Sequence, residues 1–138
     1  MSKLALNSAV ISLPVASGED HASQRGFFVV PSGSSVALAS DALTAPLGVI
    51  VDGGASATGE PDSVAICGGG AGVVRVKCAA SPGVIAAGAN LVLDATTLGA
   101  VKADPGTGAR VVVARALESG AAGALIDAIL VHPIIYAS

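Results

Sequence analysis

Cys67 stands directly before Gly68, Gly69 and Gly70, a thiol followed by amides that no side chain shields. A thiolate in that position could attack a carbonyl while the glycine N–H groups hold the oxyanion. Such chemistry needs a base within hydrogen-bond reach, and the only histidines, His21 and His132, are distant from Cys67 in the sequence. A glycine run between two β segments is also ordinary hairpin loop, and that is the reading preferred here. The same run lacks the Lys-Ser/Thr ending of a phosphate-gripping loop. His21 lies in a polar stretch and His132, before Pro133, reads as a strand-end residue; neither has a metal-ligand spacing to another His or Cys. Asp52, Glu60 and Asp62 are chemically suited to calcium, but their spacing follows no standard calcium loop. No catalytic, metal-binding or cofactor-binding residue is assigned, and no cofactor is expected.

The elements that must carry these residues are short. Pro31-Ser32-Gly33, Asp52-Gly53-Gly54, Ser81-Pro82-Gly83 and Asp104-Pro105-Gly106 are turn chemistry. Between such turns lie pieces rich in Val and Ile: 27–30, 47–51, 64–67, 73–78, 90–93, 110–116 and 125–132. The pattern predicts an all-β fold, a small β-barrel or sandwich. Alternation is clearest over 73–78, with Val74, Val76 and Cys78 facing inward and Arg75 and Lys77 outward. Residues 114–130 also carry apolar residues at helical spacing, but Gly120 and Gly123 would each cost a helix about 1 kcal/mol. Two strands joined by 118–123 are expected instead. A helical turn near 40–43, capped by Ser40, is a minor expectation.

If 63–67 and 73–78 pair as a hairpin, Cys67 faces about Val73 and Cys78 lies roughly 16 Å further along the ladder. A disulfide needs Cα atoms within about 7 Å. Both cysteines are therefore expected as buried free thiols in a reducing compartment.

Of the 138 residues, 12% are charged and 2% aromatic, and mean hydropathy is +0.75. A soluble domain ordinarily carries about 25% charged residues. This chain is short of polar surface, so part of its exterior should be covered. Arg115 and Asp127 interrupt the longest apolar runs, far short of the roughly 20 residues a spanning helix requires; no membrane association is expected. The seven Lys and Arg residues are scattered over a chain of net charge −3, which argues against direct nucleic-acid binding. Burial against other protein is the remaining explanation.

Two units are expected, an extended N-terminal arm over 1–24 and a β-rich domain over 25–138. Leu4, Leu6, Val10, Ile11, Leu13 and Val15 give the arm a mildly apolar ribbon fit for a neighbour's groove or sheet edge. Lys3 and Ala16-Ser17 faintly imitate a secretion signal, but Asn7, Ser8, Ser12 and Pro14 break the run. The outward faces of 111–116 and 125–131, represented by Val111, Val113, Ile129 and Val131, are the expected self-contact.

Five segments follow one another in a familiar order: Gly26-Phe27-Phe28-Val29-Val30, Ala45-Pro46-Leu47-Gly48-Val49-Ile50, Gly72-Val73-Val74-Arg75-Val76-Lys77, Ile85-Ala86-Ala87-Gly88-Ala89-Asn90-Leu91 and Ala114-Arg115-Ala116-Leu117-Glu118-Ser119-Gly120. Over about 25–132 the chain resembles the capsid decoration, or capsid cement, proteins of tailed phages, which are similar in role to lambda-type head decoration proteins. Each motif is a generic Gly and Val pattern, and their order carries the resemblance. It implies a β-rich homotrimer on the outer capsid surface of the virion, made in the host cytoplasm. There it would bridge major capsid proteins of the HK97-like fold and stabilise the DNA-filled head. It also implies a structural protein rather than an enzyme.

Two other classes have a sequence basis. Residues 73–93 and Gly99-Ala100-Val101 loosely imitate lipoyl and biotinyl carrier domains, yet Lys77 falls in a strand and Lys102 beside one, where such domains display their lysine at a hairpin tip. A small thiol enzyme would rest on Cys67 or His132, and thiol reactivity separates that reading from a buried structural cysteine.

Overall fold

The computed structural model describes residues 9–138 and is all-β. Among the described residues, ten strands form two five-stranded antiparallel sheets. The first sheet has the order β1 (Val10–Leu13), β5 (Asp62–Ile66), β4 (Gly48–Asp52), β2 (Phe28–Ser32), β3 (Ser35–Leu38). The second has the order β6 (Val73–Lys77), β10 (Leu125–Tyr136), β9 (Arg110–Ala116), β7 (Asn90–Leu93), β8 (Val101–Ala103).

Period-2 alternation explains how the first sheet is buried on both faces. Phe28, Val49 and Ala65 point to one side and join the main core with Val76, Leu91, Val101, Val111, Val113 and Ile126 of the second sheet. Their chain neighbours Val29, Ile50 and Val64 point to the other side and meet Val36 in a second cluster. That side is closed because the sheet curls on itself. Past β1 the chain crosses to the far edge, where the Val36 N–H donates to the Pro14 carbonyl and the Ala16 N–H to the Val36 carbonyl. Val15 and Val36 form the bridge that brings the two edges together, and curling removes the exposed edges that invite wrong pairing.

The two sheets are stitched at Gly26. Its N–H donates to the Ile50 carbonyl of β4 and its own carbonyl accepts from Lys77 of β6. The residue has φ +86°, and a Cβ there would run into the Leu125 side chain and the Lys77 backbone. Glycine alone meets both demands.

Several expectations change. Residues 10–24 belong to the fold: β1 pairs with β5, Val15 and Ala16 are buried, and His21 is fully buried. The arm boundary at 24 therefore falls inside the first sheet, and Leu4 and Leu6 lie outside the described residues. The chain turns at 118–123 between β9 and β10 as expected, with no helix across 114–130. The 63–67 and 73–78 segments do not form a hairpin, because β5 and β6 lie in different sheets and 67–72 crosses between them. Near residue 40 a bend replaces the helical turn, held by Asp41, not Ser40; its carboxylate accepts from the Leu43 and Thr44 amides. Those bonds hold the Asp41 carboxyl below its ordinary range.

Candidate docking surfaces and a buried polar clamp

Glu19 and His21 are near neighbours in the sequence, Asp62 lies 41 residues beyond His21, and the first sheet brings all three together. One ring N–H of His21 donates to Asp62 at 2.6 Å and the other to Glu19 at 2.7 Å. The histidine and Asp62 are both wholly inaccessible to solvent. Asp62 also accepts from the Gly54 amide, Glu19 from the Leu38 amide, and the His21 amide donates to the Gly54 carbonyl. The clamp thus ties the segment after β1 to the end of β3, the start of β5 and the β4–β5 loop. Gly53 is part of the fit, since a Cβ there would fall on the His21 carbonyl oxygen.

Burial is the largest single influence on His21 and works against the imidazolium. The hydrogen bonds and charges of Asp62 and Glu19 together outweigh it, so the net shift is upward. A histidine between two carboxylates resembles part of a catalytic relay, but both ring nitrogens are occupied and no solvent reaches them. Neither can take a proton from a nucleophile; the group works as a structural lock. Sequence reading missed it because Asp62, 41 residues away, reaches His21 only through the pairing of distant strands.

Cys67 ends the strand pair of the first sheet with its amide donating to the Leu47 carbonyl. Both cysteines are free and buried in the main core. Burial pushes the Cys67 thiol up to about 12, and burial, aided by Glu118 and opposed by Lys77, raises Cys78. A thiol held protonated is not an activated nucleophile. The fold does bring His132 close by, since a Cβ on Gly68, the neighbour of Cys67, would strike its ring. Of the suspected calcium ligands, Asp62 is committed to the clamp. Among the described residues no group of three His, Cys, Asp or Glu is arranged to hold a metal. Lys77 closes β6 and Lys102 lies within β8, so neither sits at a hairpin tip.

The expected self-contact residues separate into two groups. Val111 and Val113 are fully buried in the chain's own core, so they are corrected from contact residues to core residues: β9 is a central strand between β10 and β7. Ile129 is 43% exposed and Val131 half-buried. The exposed apolar surface continues past them along β10 in Ile134, Ile135 and Tyr136. β10 outruns its partner: β6 pairs with 125–129 only, whereas β9 follows β10 to Tyr136. Pro133, expected to end the strand, instead sits at a register shift between Leu130 and Ile134, the kind of bulge where proline is tolerated. At the far end the Arg110 guanidinium lies 4.1 Å above the Tyr136 ring and bonds Asp104. Val10 and Ile11 on β1 are also partly exposed.

Two clefts flank these surfaces. One, of about 450 Å³, lies between the 40–43 bend and the β7–β8 end, lined by Leu43, Leu93, Leu98 and Lys102. The other, of about 320 Å³, opens between β4 and β6. No helix among the described residues is long and apolar enough to cross a membrane.

The class these features define is a small all-β protein of two packed sheets, one curled on itself, with apolar strand surface left uncovered. No protein-family model matches the chain, and a search of curated proteins finds no match.

Proposed function

We propose that the chain is a structural capsid cement of a tailed phage, binding as a homotrimer to the outer face of the shell and bridging major capsid proteins of the HK97-like fold. The observation that carries this reading is the uncovered apolar strand surface of β10, Ile129 and Ile134 to Tyr136, on a chain with only 12% charged residues. Such surface marks an interaction site on a soluble protein. The order of the five Gly and Val segments supports the same reading. Three joined copies would multiply weak, flat contacts through effective concentration, which suits a chain with few aromatic anchors. The self-contact falls on Ile129 and Val131 with the end of β10, and Val111 and Val113 support it from within. Leu4, Leu6, Val10, Ile11, Leu13 and Val15 remain the proposed capsid-facing segment, with Leu13 and Val15 acting through their place in the first sheet.

The test is sedimentation of particles from a lysate containing this protein, with the stoichiometry against the major capsid protein read by mass spectrometry. Co-migration in hundreds of copies per particle is the expected result. A chain that stays in the soluble fraction as a small oligomer overturns the reading. Deleting residues 2–8, which spares β1, then tests the arm: decoration is lost while the β fold remains.

A further inference from the structure

Among the described residues, the cleft between β4 and β6 has the form of a vacant strand position. Gly26 joins the two strands at one point, and beyond it the cleft is lined by the exposed Arg25, by Val51 of β4, by Val10 of β1 and by Val73 and Arg75 of β6. The backbone of β6 is open toward that gap. The Cys78 amide donates to Ala124, in register with β10, whereas the Lys77 amide points the other way, to Gly26. Antiparallel pairing alternates these directions residue by residue. The amides of Arg75 and Val73 therefore point outward like that of Lys77, and among the described residues nothing accepts from them. Val73 is 59% exposed beside them.

The charges on the cleft are Arg25, Arg75 and Asp127. Arg75 lies 3.5 Å from Asp127, which leaves Arg25 as the cation with no ion pair among the described residues and the cleft net positive. We infer that this slot accepts one extended segment of a partner polypeptide, which adds as a strand to the open edge of β6 and places a carboxylate on Arg25. Main-chain bonds to Val73 and Arg75 supply affinity in strand addition, and the alternating side chains supply selectivity. The arginine fork reads a carboxylate in two parallel bonds, which a lysine cannot reproduce. On the cement reading, on which the identity of the partner rests, the segment comes from the major capsid protein.

Amide hydrogen exchange on the full chain, free and bound to particles, tests this together with Arg25→Glu and Arg25→Lys. Arg25 is exposed and makes no side-chain hydrogen bond or ion pair among the described residues, so both variants should keep the free protein's exchange pattern. The expected result is at least tenfold slower exchange at Val73 and Arg75 on particles. Occupancy should weaken at least tenfold for Arg25→Glu and by less for Arg25→Lys. Binding to particles with unchanged exchange at Val73 and Arg75, or with Arg25→Glu equal to wild type, overturns the inference and leaves the cement reading standing. If the protein does not bind particles, the cement reading fails separately. The slot is then probed with the acetylated peptide Val-Asp-Val-Asp-Val against its Val-Lys-Val-Lys-Val counterpart. Slowed exchange with the acidic peptide alone supports the slot, and no slowing, or equal slowing with both, overturns it.

Discussion

The two sheets have equal strand numbers and use their apolar residues differently. The first turns both faces inward, one against its neighbour and one into its own curl, and secures the closure with a buried, fully bonded polar clamp. The second contributes the larger share of the main core but runs its longest strand beyond its partner, leaving Ile134, Ile135 and Tyr136 uncovered. The scarcity of charge is thus not evenly spread. In the first sheet it reflects burial on two faces of β2, β4 and β5, and in the second it is divided between a sealed core at β7 and β9 and exposed surface along the end of β10. A low charge count alone does not distinguish those two uses.

The sharpest way to break the contrast is a matched pair of charges in the second sheet. Val113→Asp places a carboxylate in the sealed core without a partner, a change that costs several kcal/mol or forces the group to neutralise. The expected outcome is loss of the cooperative thermal transition and recovery only as aggregate. Ile129→Asp, on the adjacent strand but outward, should keep a melting transition close to wild type and shift the assembly toward monomer in sedimentation velocity. Unfolding by both, or an unchanged assembly with Ile129→Asp, would remove the distinction between core and contact surface.

In the first sheet, the largest single loss is expected at His21. Removing the ring in His21→Ala strands Asp62 in the interior, and breaking a buried charged pair typically costs about 3–5 kcal/mol; chemical denaturation measures it. The clamp also sets a pH dependence. The imidazole titrates near about 6.5 when unfolded and higher in the fold, so folding favours the protonated ring. Its stabilisation is fully present below about pH 6.5 and is lost as pH rises through the raised folded value. Melting temperatures should fall across that window for wild type and lose this component in His21→Gln. An identical pH profile for the variant would show that the clamp does not couple to protonation.

Gly53→Ala should act on the same clamp with smaller effect. The new methyl must displace the His21 carbonyl, and the expected loss is about 1–3 kcal/mol, the common range for a point substitution. Gly53 does not adopt a positive φ, so the close approach to His21, and not backbone conformation, sets its cost. A Gly53→Ala variant as stable as wild type in chemical denaturation would mean that the loop shifts aside without disturbing the clamp.

What could be read from sequence followed the strength of local signals. The Val-rich pieces at 90–93 and 110–116 became β7 and β9 with their predicted bounds, and alternation over 73–78 placed Val74 and Val76 inward correctly. β1, β3 and β8 escaped because Val-Ile-Ser-Leu, Ser-Val-Ala-Leu and Val-Lys-Ala are too short to carry a period. β1 also finds its partner in β5, some fifty residues away. The assumed hairpin after Cys67 failed because a glycine loop is equally able to cross between sheets. The double apolar face of β9 looked like a contact surface for the same reason that the clamp was invisible: strand order, which decides what covers a face, is a property of distant pairings.

The smallest expected effect concerns the thiols, which lie where the two sheets share one core. Cys67 ends the first sheet and Cys78 follows β6 of the second, and both are buried there. With the Cys67 thiol pushed up to about 12 by burial, a disulfide reagent at pH 8 meets almost no thiolate and a largely buried side chain. Modification should be slow in the native protein, with both thiols released together at the rate of global unfolding. It should also accelerate in parallel when His21→Ala destabilises the first sheet, since a shared core opens as one unit. Fast labelling of Cys67 alone in the native protein would mean that the glycine loop opens independently of the sheets, and would return its thiol and the nearby His132 to consideration as reactive groups.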